Sequence, residues 1–183
     1  DEYELKMEVM KDYIIKKEKL GVRTLSSLEE KWEYLVKERG NLEINLRRVV
    51  KQVLVMERFN NPNFDPKEYV MKKLHNNKES RRKYSKFSLN DLFNADKVEI
   101  YFKDLDTLVR GKWELFERYI KDMDQESFKH YMKVINKNGR ADAHAKEKID
   151  DKDLQEVNIA FDKLSDIILN FDSTPNELSD IFS

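Results

Sequence analysis

The segment Asn136-Lys-Asn-Gly-Arg140-Ala-Asp-Ala-His144-Ala-Lys146 places a cation four residues ahead of the only Ala-His step in the chain. Residues four apart share a helix face. A guanidinium and a titratable imidazole there stand side by side, a pairing that can hold a phosphate and move a proton. The same residues also fit an ordinary helix boundary. Gly139 can be the glycine that ends the preceding helix, with Arg140 and Asp142 in a solvated turn and His144 hydrogen-bonded and partly buried. The residues alone leave both readings open.

A second cluster lies at residues 67–86. Lys67, Lys72, Lys73, Lys78, Arg81, Arg82, Lys83 and Lys86 face only Glu68 and Glu79, a local charge of +6. Tyr69, Tyr84 and Phe87 are interleaved with these cations. Phosphate neutralisation combined with aromatic stacking is how single-stranded nucleic acid is commonly held. A solvated basic loop that meets the acidic end of a neighbouring copy is the competing reading. Residues 149–183 supply that end, with nine acids against Lys152 and Lys163. His75 and His130 have no acid arrangement that reads as a metal site, and no metal or other cofactor is expected.

Several chemistries are excluded outright. The chain has no cysteine, so disulfides, thiol catalysis and thiolate-bound zinc are absent. That usage suits a reducing cytoplasm. Its four glycines, at 21, 40, 111 and 139, are isolated, so no glycine-rich phosphate loop exists. No apolar run approaches the roughly 18 residues a membrane span needs. The net charge of −1 gives no bulk attraction for nucleic acid, so any such role rests on local clusters.

The elements that position these residues read as helices. Charged residues make up 39% of the chain with only four Gly and three Pro, which suits helices with solvated outer faces and argues against a turn-rich β fold. Residues 2–20 have Leu5, Val9, Tyr13 and Ile14 toward one side and stop at Gly21. They form an accessory arm or a link to an upstream domain. Ser26-Ser-Leu-Glu29 predicts a capping box. A long helix follows to about Phe59, with Leu28, Trp32, Leu35, Leu42, Leu46, Val49, Val50, Val53 and Leu54 at helical spacing. Gly40 within it marks a bend or a close contact.

Asn60-Asn-Pro62 and Asp65-Pro66 stop that helix. A short helix is expected over 67–76, a basic loop over 77–88, and a helical turn from Ser88 to Phe93. One long helix is expected from Val98 to Ile120, with Ile100, Tyr101, Leu105, Leu108, Trp113 and Phe116 facing a core. Asp124 caps a helix over 125–137, and Asp150 or Asp151 leads into a last helix to Phe171. The expected architecture is all-α: an antiparallel bundle spanning residues 25–171, an accessory N-terminal segment over 1–24, short helical insertions, and an acidic tail over 172–183.

Three pieces in order carry a resemblance to a known family: Glu43-Ile-Asn-Leu-Arg-Arg-Val-Val50; Leu89-Asn-Asp-Leu-Phe93 followed by Lys112-Trp-Glu-Leu-Phe116; and Ile135 through His144. From Leu28 to Ile168 their order resembles the HEPN superfamily of all-α bundles, in the branch found in nuclear RNA endonucleases and bacterial defence proteins. That resemblance implies metal-independent RNA cleavage within a homodimer. His144 would be the acid–base group and Arg140 the phosphate clamp, while Asp142 would orient the imidazole or pair with Arg140. Lys72, Lys73, Lys78, Arg81, Arg82, Lys83 and Lys86 would contact the RNA backbone.

The motif departs from the family pattern in one respect. Three residues separate Arg140 from His144, where the family leaves four to six. The alternative implied role is a non-catalytic HEPN-like module for dimerisation, or for docking within a larger protein.

Overall fold

The computed structural model describes residues 27–98, 100–120, 123–138 and 149–173. Every regular element among them is a helix: α1 (Leu28–Asn60), α2 (Pro66–Leu74), α3 (Lys78–Tyr84), α4 (Leu89–Leu92), α5 (Phe102–Arg110), α6 (Trp113–Phe116), α7 (Gln125–Asn138) and α8 (Asp151–Ser173). Four of them close a ring: α1 packs on α8, α8 on α7, α7 on α5, and α5 back on α1. Leu46, Val53, Phe102, Leu105, Phe128, Ile135, Val157 and Leu164 fill the space between them, each at most 2% exposed. Burying one such side chain is worth about 1.5–3 kcal/mol.

Helix α1 begins where its cap allows. Ser27 Oγ accepts the Glu30 amide at 3.1 Å, and the Glu30 carboxylate accepts the Ser27 amide at 3.2 Å. The capping box therefore sits one residue later than Ser26–Glu29. The apolar spacing from Leu35 to Leu54 is the buried face. Leu28 at the first position is exposed and Trp32 is half-buried, so that face starts at Leu35. Gly40 makes no close contact among the described residues, because a Cβ placed there would meet nothing within 4 Å.

After Asn60 the chain turns as its Asn/Pro content requires, and the Arg58 guanidinium ties the turn by donating to the carbonyls of Pro62 and Phe64. Asp65 then caps α2 by accepting the Lys67 and Glu68 amides at 2.9 and 3.1 Å, with buried Pro66 at the first helical position.

The expected helix over 98–120 starts late and is broken into two, with a local cap at its start and side chains from other elements at both ends. Arg47 on α1 donates to the Ile100 carbonyl. Asp104 accepts the Tyr101 amide at 2.9 Å, which starts α5 at Phe102 and leaves Tyr101 58% exposed rather than in the core.

At the far end, Tyr69 Oη donates to the Leu108 carbonyl at 2.6 Å, and Gln125 Nε2 donates to the Arg110 carbonyl at 3.2 Å. Those acceptors would otherwise continue the helix. The close approach of α2 needs Gly111: a Cβ there would lie 2.8 Å from the Thr107 carbonyl oxygen and 2.9 Å from Tyr69 Oη. Phe116 is buried, whereas Trp32 and Trp113 only half-line the core.

Candidate functional site

Two places were expected to carry chemistry. Arg140, Asp142 and His144 lie outside the described residues. Their flanks are described: α7 runs to Asn138, Ile149 is buried, and Asp150 caps α8 by accepting the Asp153 amide at 2.6 Å. Helices α7 and α8 pack on each other, so the segment carrying Arg140 and His144 joins two neighbours in the ring.

The basic cluster is described in full. Residues 78–84 form helix α3 rather than the expected loop. Asn77 accepts the Ser80 amide at 2.8 Å, and Lys, Glu and Arg favour the helix once it is capped. No residue of α3 is buried, so polar ties hold it to α2. Lys67 Nζ donates to the Ser85 carbonyl at 2.7 Å, and Arg81 pairs with Glu68 at 2.7 Å. Exposed pairs of this kind contribute little individually.

The aromatic residues of the cluster turn inward. The Tyr84 ring lies 4.3 Å from the His75 ring and meets Phe87 edge-on at 5.4 Å. Tyr69 spends its hydroxyl on α5 and meets the Phe64 ring at 5.9 Å. Burial and the nearby Glu114 carboxylate push the Tyr69 hydroxyl well above its ordinary range, which keeps it a donor. The three rings are partly buried against the bundle and the cations face water, with Lys73 and Lys83 still lying over Tyr69 and Tyr84.

Lys72, Lys73, Lys78, Arg81, Arg82, Lys83 and Lys86 are all exposed. Lys73 and Lys83 lie over the rings of Tyr69 and Tyr84, and Arg81 is held by Glu68. Lys72, Lys78, Arg82 and Lys86 have no ion pair among the described residues. These four are the cations most available to an incoming anion.

His75 closes α2 and is the residue of this region that sequence reasoning undervalued. It is buried, and its Nε2 has no hydrogen-bond partner among the described residues. Burial holds its imidazole below the ordinary 6.5, Lys83 reinforces that, and Asp104 opposes it. A neutral ring packed on Tyr84 is therefore part of how α3 is seated. The signal in the sequence was its position, one residue past the apolar Leu74 at a helix end.

His130 is exposed on α7. Among the described residues no group of three or more His, Asp or Glu could hold a metal ion, and no helix is long and apolar enough to cross a membrane.

No family model, curated protein or solved structure matches the chain.

Proposed function

We propose that this chain is an RNA-binding module in which the α2–α3 arm holds the phosphate backbone, and that it is an antiparallel HEPN-like bundle acting as a homodimer in the cytoplasm. The observation that carries the binding reading is the separation on the arm: seven cations outward, three aromatic rings inward. A surface of that kind neutralises phosphates without reading bases, so binding is sequence-tolerant and salt-dependent. The near-neutral chain as a whole confines the attraction to the arm.

The catalytic part of the reading rests on the ordered resemblance and on Arg140 and His144. In it, a ribose 2′-hydroxyl gives its proton to His144 as its oxygen bonds to the adjacent phosphorus. The P–O5′ bond breaks and the leaving 5′-oxygen takes up a proton from a protonated imidazole or water, giving a 2′,3′-cyclic phosphate and a 5′-hydroxyl. Arg140 offsets the charge that builds up, and no metal takes part. The shortened Arg140–His144 spacing, with Asp142 between them, favours the second reading, a binding or docking module without cleavage. A defence role follows from the family's company alone.

Incubating the wild type and His144→Ala with labelled single-stranded RNA in EDTA separates the two. Cleavage by the wild type and its loss in the variant supports the enzyme. Binding without cleavage by either leaves the docking module.

A further inference from the structure

Helix α1 carries an outward stripe that the other described elements leave bare. Val36 is 55% exposed and Ile44 67% exposed. Gly40 stands between them at four-residue spacing, with nothing within 4 Å of where a side chain would begin. Glycine is a poor residue for a helix interior, and nothing among the described residues approaches Gly40 closely enough to require it. Glu29 and Glu33, both exposed, extend the stripe toward the start of α1. Arg48 and Lys51, both partly exposed, extend it the other way. Arg47 is not part of it, because its side chain is 12% exposed and is held by Glu43 and the Ile100 carbonyl.

The order of this stripe is symmetric about Gly40. Val36 and Ile44 lie four residues to either side of it, and Glu29 and Lys51 eleven residues to either side, which is about three helical turns. A surface of that kind is complementary to itself under a two-fold rotation, where residue i of one copy meets j of the other and j meets i. With the axis at Gly40, Val36 stands level with the copy's Ile44, and Glu29 with the copy's Lys51. Glu33 falls within one residue of the copy's Arg48. Lys37 stands level with Glu43, whose carboxylate Arg47 already holds. A parallel pair would instead bring acid to acid and base to base at the two ends.

We propose that two copies of this chain pair antiparallel along α1, across a two-fold axis at Gly40, with Val36 of each packed on Ile44 of the other. The absent side chain at Gly40 lets the two backbones approach where they cross. A second copy is the occupant that the symmetry fits. An unrelated helix would need complementary charges but would impose no symmetric order about Gly40. The proposal gives a surface to the homodimer of the preceding reading and rests on that part of it, whereas RNA binding by the arm stands apart.

A contact of one helix on another falls short of the roughly 800 Å² per partner of a standard interface, which makes this a weak, concentration-dependent dimer. Sedimentation equilibrium of the 183-residue chain, from about 1 to about 300 μM, should show monomer passing into dimer. Ile44→Lys, at a side chain already two-thirds exposed, should weaken dimerisation at least about tenfold with little change in the urea midpoint. Gly40→Leu should weaken it as much while raising the urea midpoint of the dilute protein, because leucine is the better helix former. The absence of cysteine lets the register be read by mixing two variants. Val36→Cys with Ile44→Cys should form a mixed disulfide on mild oxidation at least about tenfold faster than either variant does with itself, since like positions stand about 12 Å apart along the axis.

Equal rates for the mixture and the single variants would overturn the register. A wild type that stays monomeric throughout would overturn the dimer itself, leave the face to a different partner, and leave RNA binding by the arm untouched. A dimer that survives both Ile44→Lys and Gly40→Leu would keep the homodimer and reject the α1 face as its surface.

Discussion

The four-helix ring and the α2–α3 arm are built on opposite terms. The ring of α1, α5, α7 and α8 is held by apolar side chains that exclude water, such as Phe102 and Phe128 at 0% exposure. Helix α3 buries nothing and is held by a cap, a lysine-to-carbonyl bond, one exposed ion pair and a tyrosine stacked on a histidine. A region made that way contributes little to global stability and can be altered freely. Its charges are therefore available for binding, whereas those of the ring's seams are spent on folding: Arg47 on Glu43 and the Ile100 carbonyl, Arg110 on Asp106 at 2.6 Å.

The sharpest way to break this contrast is to empty the ring. Phe128→Ala removes a fully buried ring that meets Trp113 at 5.8 Å. Such a truncation costs about 3–5 kcal/mol, visible as a large fall in the urea midpoint. A change below about 1 kcal/mol would mean that Phe128 does not belong to the core.

Next in size is the junction between ring and arm. Gly111→Ala has no backbone objection, since φ is −66°. The added Cβ would nevertheless press on the Thr107 carbonyl and Tyr69 at under 3 Å. A loss of about 1–3 kcal/mol is expected, and a gain would mean that α2 does not sit as close as described. Tyr69→Phe at the same junction removes one hydrogen bond and should cost about 1 kcal/mol.

The smallest effect is pH-dependent. The folded state holds His75 below its unfolded value of 6.5, so the unfolded chain binds the proton more readily. Stability attributable to this residue is complete above that value and is lost as pH falls below it toward the folded pKa. The urea midpoint should drop between pH 7.5 and 5.5, and His75→Phe should lessen the drop. Asp91, held to about 2 by the Lys97 ammonium and the Ser88 cap, acts only at much lower pH and does not contribute in that window. An identical drop in His75→Phe would remove His75 from the account.

Most helix starts and the buried face of α1 were legible in the sequence, because local chemistry decides them. Asp124 and Ser88 cap helices where their positions indicated, and of Asp150 and Asp151 it is Asp150 that caps α8, whereas Asp65, read only as a stop to α1, also caps α2. The apolar spacing from Leu35 to Leu54 is the buried face of α1. Two local signals were misread, the Ser27–Glu30 box by one residue and the Asn77-capped α3 as a loop, and the remaining difference was tertiary in origin. The 98–120 segment starts its helix late, where Arg47 from α1 takes the Ile100 carbonyl, and breaks after Arg110 at the α2–α5 contact of Tyr69 and Gly111; no window around residue 111 contains Tyr69.

The same reason explains the arm. Tyr69, Tyr84 and Phe87 alternate with cations in the sequence, but which side each takes depends on His75 and on the Leu108 carbonyl. The basic character of the arm was readable, and the partial burial of its three rings was not.

The central claim is that the arm's outward cations bind phosphate. The most direct test is the salt dependence of binding to single-stranded RNA by the wild type and by a variant with Lys72, Lys78, Arg82 and Lys86 changed to Ala. Each lost phosphate contact should lower the slope of log K against log salt by about 0.7. The four changes should therefore flatten it by up to about 3, weaken binding at low salt by more than about tenfold, and leave the urea midpoint within about 0.5 kcal/mol of wild type. An unchanged slope in a variant that still folds would contradict the account and leave the arm as a solvated surface.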